Sequence, residues 1–236
     1  MRFSASLLLI LPLCFTCLGA WTATYSVKTL GIQVASLEMK VGPRSLEVWS
    51  RTEGSSSLAP PMDNYYRAEF DARQLPSSYL RIVRQETDSD TVRTVYDQNR
   101  RTASQKRFLS GELVSFELEP DTRDLFSLLA HITSNPPQAD RAYVIDANSI
   151  LWDAELKKEE DDNVRTRLGR LRCKAYSLSL VPREPGKAPY VDMVTDNILN
   201  PETLLKLWIA DSGLITKAQV RRGLSVLNWE LVEYHQ

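Results

Sequence analysis

Ser127 lies at helical spacing from both an acid and a base, with Asp124 three residues before it and His131 four residues after it. A hydroxyl, an imidazole and a carboxylate are the parts of a hydrolytic triad. Three residues on one exposed helical face, however, lack the strained elbow that presents a nucleophile, and no oxyanion donors are evident nearby. The spacing therefore reads first as helix capping and packing, with an unrecognised hydrolase centred on Ser127 as the alternative. His131 and His235 are the only histidines, and no second His or Cys is spaced to join either one around zinc. Asp121 with Asp124, and Glu159 with Asp162, are carboxylate pairs, but acid–base work needs environments that drive two pKa values apart. The second pair sits in a charged run, and neither is assigned a catalytic role. The glycines are scattered singly at turns, so no phosphate-cradling loop is read. No catalytic residue, metal or cofactor is expected.

The aromatic residues are better candidates. Trp49, Tyr65, Tyr66, Phe70, Trp152, Trp208 and Trp229 all fall on predicted strands. Inward-facing rings of this kind either fill a core or line an apolar cavity. Filling the core is the simpler reading, because small barrels are commonly packed solid. If a cavity exists, Trp49, Tyr66, Trp152, Trp208 and Trp229 are the residues expected to bind its ligand.

The elements that would position these rings are mostly strands. Ala23, Tyr25 and Val27 alternate with polar neighbours, Leu30-Gly31 interrupts, and Ile32 to Val41 resumes the alternation, which reads as a β-hairpin. The apolar parity flips across Ala35-Ser36, as one extra residue in a strand would make it do. A third strand starts at Leu46, and Ser55 to Pro61 reads as a loop. Meander strands follow at Tyr65–Phe70, Tyr79–Gln85 and Thr91–Asp97, with a loop at Thr87–Asp90. The basic stretch from Arg100 to Arg107 reads as a solvated strand or hairpin face.

One short helix is predicted over Leu125 to Ile132, capped by Asp121 or Thr122, ended by Asn135-Pro136-Pro137, and packing its Leu/Ile face on the sheet. Strands return at Ala142–Asp146, Ile150–Leu156 and Leu171–Pro182, with Lys157 to Asp162 as an exposed hairpin tip. Tyr190 to Leu199 reads as strand or irregular. The chain ends in a three-stranded meander with turns at Asp211-Ser212-Gly213 and Arg222-Gly223.

The first twenty residues have a different character. Arg2 precedes the run Leu7 to Leu13, and small residues follow at Gly19-Ala20, which is the layout of a secretory signal. Residues 1–20 are read as that signal and 21–236 as one β-rich exported domain. The apolar run is shorter than the roughly 20 residues a bilayer span needs, so no transmembrane segment is expected after cleavage. Cys14 follows Leu13 and Cys17 follows Thr16, where lipidation wants a small residue, so lipoprotein anchoring is not expected. Only Cys173 then remains, which excludes an internal disulfide. Net charge is −1, with no basic block interleaved with aromatics, so nucleic acid is not an expected partner.

The order of these segments resembles a bacterial exported family known only as domain of unknown function 3108. The resemblance is carried by the strands from Tyr25 to Val41 with Gly31 at their turn, by Asp124 to Leu129 with Ser127, and by the closing segment from Trp208-Ile209-Ala210-Asp211 to Gly223-Leu224. It departs at Ala35, where the family often has glycine, and at Leu214 to Lys217, where it has a proline. The resemblance implies a mainly β fold, an antiparallel curved sheet or incompletely closed β-barrel, in the periplasm. It brings no catalytic residues. The function expected is non-enzymatic binding of a lipid or lipidated envelope component in the curved sheet, with an envelope interaction or scaffold protein as the alternative.

Overall fold

The computed structural model describes residues 20–53, 60–86, 89–184 and 192–236. The expected signal segment up to Gly19 lies outside the described residues. So do most of the expected loop at Ser55 to Pro61, Thr87-Asp88, and the loop over 185–191. The N-terminal half is a meander of β1 (Trp21–Thr29), β2 (Ile32–Gly42), β3 (Ser45–Thr52), β4 (Asp63–Phe70), β5 (Pro76–Arg84), β6 (Ser89–Asp97), β7 (Thr102–Arg107) and β8 (Leu113–Glu117). A two-residue strand, β9 (Arg123–Asp124), leads directly into helix α1 (Leu125–Ser134). There follow β10 (Arg141–Ala147), β11 (Ile150–Lys158), β12 (Asp162–Thr166) and β13 (Gly169–Pro182). Helix α2 (Met193–Ile198) precedes the closing strands β14 (Thr203–Ala210), β15 (Ile215–Arg222) and β16 (Ser225–His235).

These strands form one sheet. Its order runs β8 to β1, then β16, β15, β14, β13, β11, β10 and β9, with β12 attached to β13 off this path. All pairings are antiparallel except β9 with β10. The first and last strands join the two meanders, from Thr22 opposite His235 to Lys28 opposite Asn228. Alternation along the strands puts one face inside: on β3, Leu46, Val48 and Ser50 are buried while Glu47 and Trp49 are partly exposed. The sheet is strongly curved and not closed into a barrel by backbone pairing.

Helix α1 occupies the interior. Eight of its ten residues are buried, including Leu128 and Ile132 at 0% exposure, so it is apolar nearly all round and touches β3, β4, β9 and β10. It is more enclosed than a helix laying one face on a sheet. Its cap is Asp124, not Asp121 or Thr122: Asp124 Oδ1 accepts from the amides of Phe126 and Ser127 at 2.8 and 3.0 Å. The Ser127 hydroxyl accepts from the Asp124 amide at 3.0 Å, completing a capping box. Asp121 instead takes a left-handed turn at φ 60°.

Other expectations shift by small amounts. The irregularity in β2 falls one step early, since Val27 pairs with Ala35 and Lys28 with Gln33, leaving Val34 as the extra residue. Val34 and Ala35 are consecutive buried residues for that reason. Strand β8 was not anticipated. The charged tip after β11 turns back into the further strand β12, and the segment before Leu199 is helical because Asp192 caps it. His235, near the C-terminus, is paired in β16 opposite Thr22. Leu128→Ala should lower unfolding free energy by about 3 kcal/mol in urea titration, the usual cost of a Leu-to-Ala cavity that cannot collapse.

Candidate functional site

The interior holds two regions of different chemistry, and α2 borders both. The first is a cavity of about 400 Å³ at the end of the sheet where β1, β2, β15 and β16 turn. Val27, Val34 and Leu37 line it from β1 and β2, and Val220, Leu227 and Trp229 from β15 and β16. Val194, Asn197 and Ile198 of α2 form the opposite wall, with Met62 and Ser50 beside them. Its volume lies within the range of about 300–1,000 Å³ typical of small-ligand sites. Leu30, Pro60 and Ser225 are exposed at the rim, which marks the side open to solvent.

The second region is polar and buried. Asp192 caps α2, its Oδ1 accepting from the amides of Val194 and Thr195 at 3.0 and 3.1 Å. The same oxygen accepts from the Tyr66 hydroxyl of β4 at 2.6 Å, and Oδ2 accepts from Thr195 Oγ1 at 2.8 Å. Arg81 of β5, 2% exposed, places Nη1 at 3.7 Å from Asp192 Oδ2 and donates from it to Asn148 Oδ1 at 2.6 Å. Burial, together with Asp192, pushes the Tyr66 phenol well above its ordinary pKa. The tyrosine therefore stays a donor, and α2 is tied at its capped end to β4 and β5.

Farther along the same interior, Asp146 of β10 accepts from the Tyr96 hydroxyl of β6 at 2.8 Å. Asp146 and Asp124 are opposite one another in the parallel β9–β10 pair, and both are fully buried. Burial is the main cause that pushes Asp146 up to about 7; Asp124 adds to it, while the Tyr96 hydrogen bond and Arg81 oppose it. Burial raises Asp124 too, against the hydrogen bonds from Ser127 and Phe126. Asp146 Oδ1 and Asp124 Oδ2 have no hydrogen-bond partner among the described residues. Two adjacent buried carboxyls of this kind are held most easily with a proton on one of them.

The candidate aromatic residues separate between the faces. Trp229 lines the apolar cavity, and Tyr66 belongs to the polar network. Trp152 is buried in the core, with its Nε1 unpaired among the described residues. Trp49 and Trp208 lie on the outer face instead of facing inward. Trp49 packs on Tyr65 with ring centroids 5.0 Å apart. Trp208 donates from Nε1 to Asp162 Oδ2 at 3.2 Å and carries Lys217 Nζ 4.8 Å above its ring. Period-two parity could have excluded both, since each stands one step out of phase with buried neighbours such as Val48 and Leu207.

The network of Arg81, Asp146 and Asp192 was not singled out from sequence. Its only signal was charged residues at inward parity, Arg81 between Tyr79 and Val83. The triad-like spacing resolves into the capping box, with His131 Nδ1 3.2 Å from Gln74 Oε1. Burial and the nearby Arg123 lower His131 to about 4, so it is neutral at physiological pH. A polar groove of about 510 Å³ between β12 and the outer face of β1, β15 and β16 is lined by Lys28, Arg165, Arg167 and Lys217 against Asp162 and Glu230, with Lys28 paired to Glu230 at 2.6 Å.

The fold and cavity define a β-barrel-like, incompletely closed sheet with an internal helix. No family profile and no curated protein matches the chain. Among solved structures it is similar to a β-barrel-like protein of domain of unknown function DUF1849 from Brucella abortus, at 6% identity over 92% of this chain and 97% of the other, with a TM-score of 0.62. That likeness supports the fold. Two looser matches are a candidate exported protein with a YmcC-like fold from Bacteroides fragilis, at 12% identity, and a candidate lipoprotein from Parabacteroides distasonis, at 8%. Each covers 92% of this chain and 95% of its own, with TM-scores of 0.35 and 0.34. The narrower resemblance to domain of unknown function 3108 gains no support from these comparisons, whereas the β-barrel-like architecture does.

Two predictions follow from the polar network. Asp146 holds its proton up to about 7 when folded, against 3.8 ordinarily, so its contribution is complete below the lower value and is lost as pH rises through the higher. His131 has the opposite sign, its contribution being lost as pH falls from 6.5 through about 4. Asp146→Asn should therefore remove a downward slope of up to about 1.4 kcal/mol per pH unit between roughly pH 4 and 7, read as the wild-type-minus-variant difference in urea unfolding. Tyr66→Phe should cost about 1–3 kcal/mol by leaving the Asp192 carboxylate short of a donor. Hydrogen exchange should then quicken at the amides of Asp196 and Leu199 in and after α2.

Proposed function

We propose that this chain is a non-enzymatic exported protein that holds an acyl chain, from a lipid or a lipidated envelope component, in the cavity beside α2. The carrying observation is the cavity itself: about 400 Å³, walled by aliphatic side chains and Trp229, and open at the Leu30 and Ser225 rim. An apolar cavity that stays unfilled forgoes contacts its lining would otherwise make. A chain entering it recovers them and gains about 25 cal/mol for each Å² of apolar surface removed from water. The polar groups at the rim, Thr29, Asn197 and Ser225, suit a head group that remains near solvent. Export to the periplasm is supported by the signal-like first twenty residues.

Titration with oleate tests this reading. Tryptophan fluorescence should change on saturation, and Trp229→Phe should abolish most of the change because the other candidate tryptophans lie away from the cavity. Ala35→Phe places a ring in the cavity from a lining position that is 3% exposed. It should weaken oleate by about tenfold or more, since the ligand's apolar contacts are worth over 1.4 kcal/mol, without lowering the thermal midpoint. Unchanged oleate affinity in Ala35→Phe would overturn the assignment of the cavity.

A further inference from the structure

Two hairpin tips flank the cavity mouth, and each carries a leucine that the fold gives no reason to keep. The β1–β2 turn is Leu30-Gly31, and the β15–β16 turn is Gly223-Leu224. Because β1 and β16 are paired neighbours, with Lys28 opposite Asn228, both tips project from the same end of the sheet. Leu30 is 90% exposed, Leu224 is 104% exposed, and Ile32 beside the first tip is 51% exposed. A single exposed leucine is ordinary, but apolar residues on adjacent tips form a patch.

The backbone sharpens this point. Leu30 and Gly31 have φ of 50° and 80°, the left-handed pair of a type I′ turn, whose first position strongly prefers Asn, Asp or Gly. A leucine there is strained and fully solvated at once, so neither turn geometry nor packing accounts for it. The other tip begins with Gly223 at φ 56°, and the following position is open to polar residues. Leu224 occupies it. Arg221 and Arg222 directly precede this tip; Arg221 is exposed and makes no ion pair among the described residues, and Arg222 reaches Asp196 of α2 at 3.0 Å. Apolar tips with adjacent guanidinium groups match an anionic lipid surface, the leucines entering the acyl boundary and the arginines remaining at phosphate level.

We propose that the Leu30 and Leu224 tips insert into an anionic lipid bilayer and set the cavity mouth against it. The proposal names the source of the acyl chain and to that extent rests on the acyl-binding reading. The partner is a membrane surface, and the insertion contributed by two leucines is shallow and reversible.

The test is co-sedimentation of the protein as purified from expressing cells, its N-terminus fixed by intact mass, with two kinds of vesicle. One contains phosphatidylglycerol and phosphatidylethanolamine, the other phosphatidylcholine alone. The protein should pellet with the first, several-fold less with the second, and less with the first as salt rises. The double variant Leu30→Asn, Leu224→Ser should bind the anionic vesicles about tenfold or more weakly, because two apolar insertions are gone. Asparagine ahead of Gly31 suits a type I′ turn better than the native leucine. With Leu224 fully exposed, the double variant should therefore have a thermal midpoint at or above that of the natural chain, which excludes misfolding as the cause. Equal sedimentation of the double variant, or no sedimentation of the natural protein with anionic vesicles, would overturn the proposal. Oleate titration in solution separates the two readings: lost oleate binding with vesicle binding intact removes the acyl reading alone, and the converse removes the membrane reading alone.

Discussion

The chain leaves its sheet at one edge and re-enters it at the other within five residues, Leu118 to Thr122. Laid flat, the fifteen strands in order would separate β8 from β9 by roughly 65 Å at about 4.8 Å per strand. Five linking residues reach no more than about 22 Å. The sheet must therefore curl, and an interior exists because of that curl. The pairing of β1 with β16 makes the constraint effective, since it joins the two meanders into one continuous surface. Without that seam the link would join two smaller sheets and enclose nothing.

The curl stops short of a closed ladder, and side chains span the remaining gap. Tyr96 reaches from β6 to Asp146 of β10, Arg81 from β5 to Asn148, and Tyr66 from β4 to Asp192 before α2. Each link joins residues at least 50 positions apart in sequence. Buried ionisable groups are a poor source of net stability, because their desolvation offsets most of what pairing returns. Their value here is directional: hydrogen bonds of about 2.6–2.8 Å fix which strand faces which across an opening that apolar contacts alone would leave free to slide. Helix α1 completes the arrangement from within, and the Asp124–Ser127 capping box lets its first turn be buried without orphaned amides.

Much of the fold was legible because period-two burial is written directly in the strands. The closing meander, the first hairpin and α1 all followed from alternation or from three-and-four spacing. What was not legible depended on contacts distant in sequence. Asp192 caps α2 while bonded to Tyr66, 126 residues away, and nothing local distinguishes such an aspartate from a solvated one. Strand β12 was hidden in a charged run because its alternation rests on Val164 alone. Of the candidate ring residues, Trp229 was legible as a cavity residue once its parity with Leu231 is noted. Trp49 and Trp208 were included on aromatic character, a property that outer-face rings share when a neighbour such as Tyr65 or Lys217 covers them.

Several features at the α2 end of the molecule are not accounted for by folding alone. An apolar cavity opens there, a helix of six residues is held beside it by the buried aspartate that caps it, and a leucine at its rim adopts a conformation better suited to asparagine. The leucine is strained and solvated at once, and asparagine would suit its turn better. Features of this kind persist where they serve a purpose other than folding. Exposed apolar side chains also occur away from this end, as Phe108, Leu109 and Leu113 around the β7–β8 turn, but none of these lines the α2 cavity. The coincidence of an apolar opening with the strained, exposed Leu30 at its rim is the ground for proposing the function at the α2 cavity and not in the buried acids, which are enclosed by the same sheet.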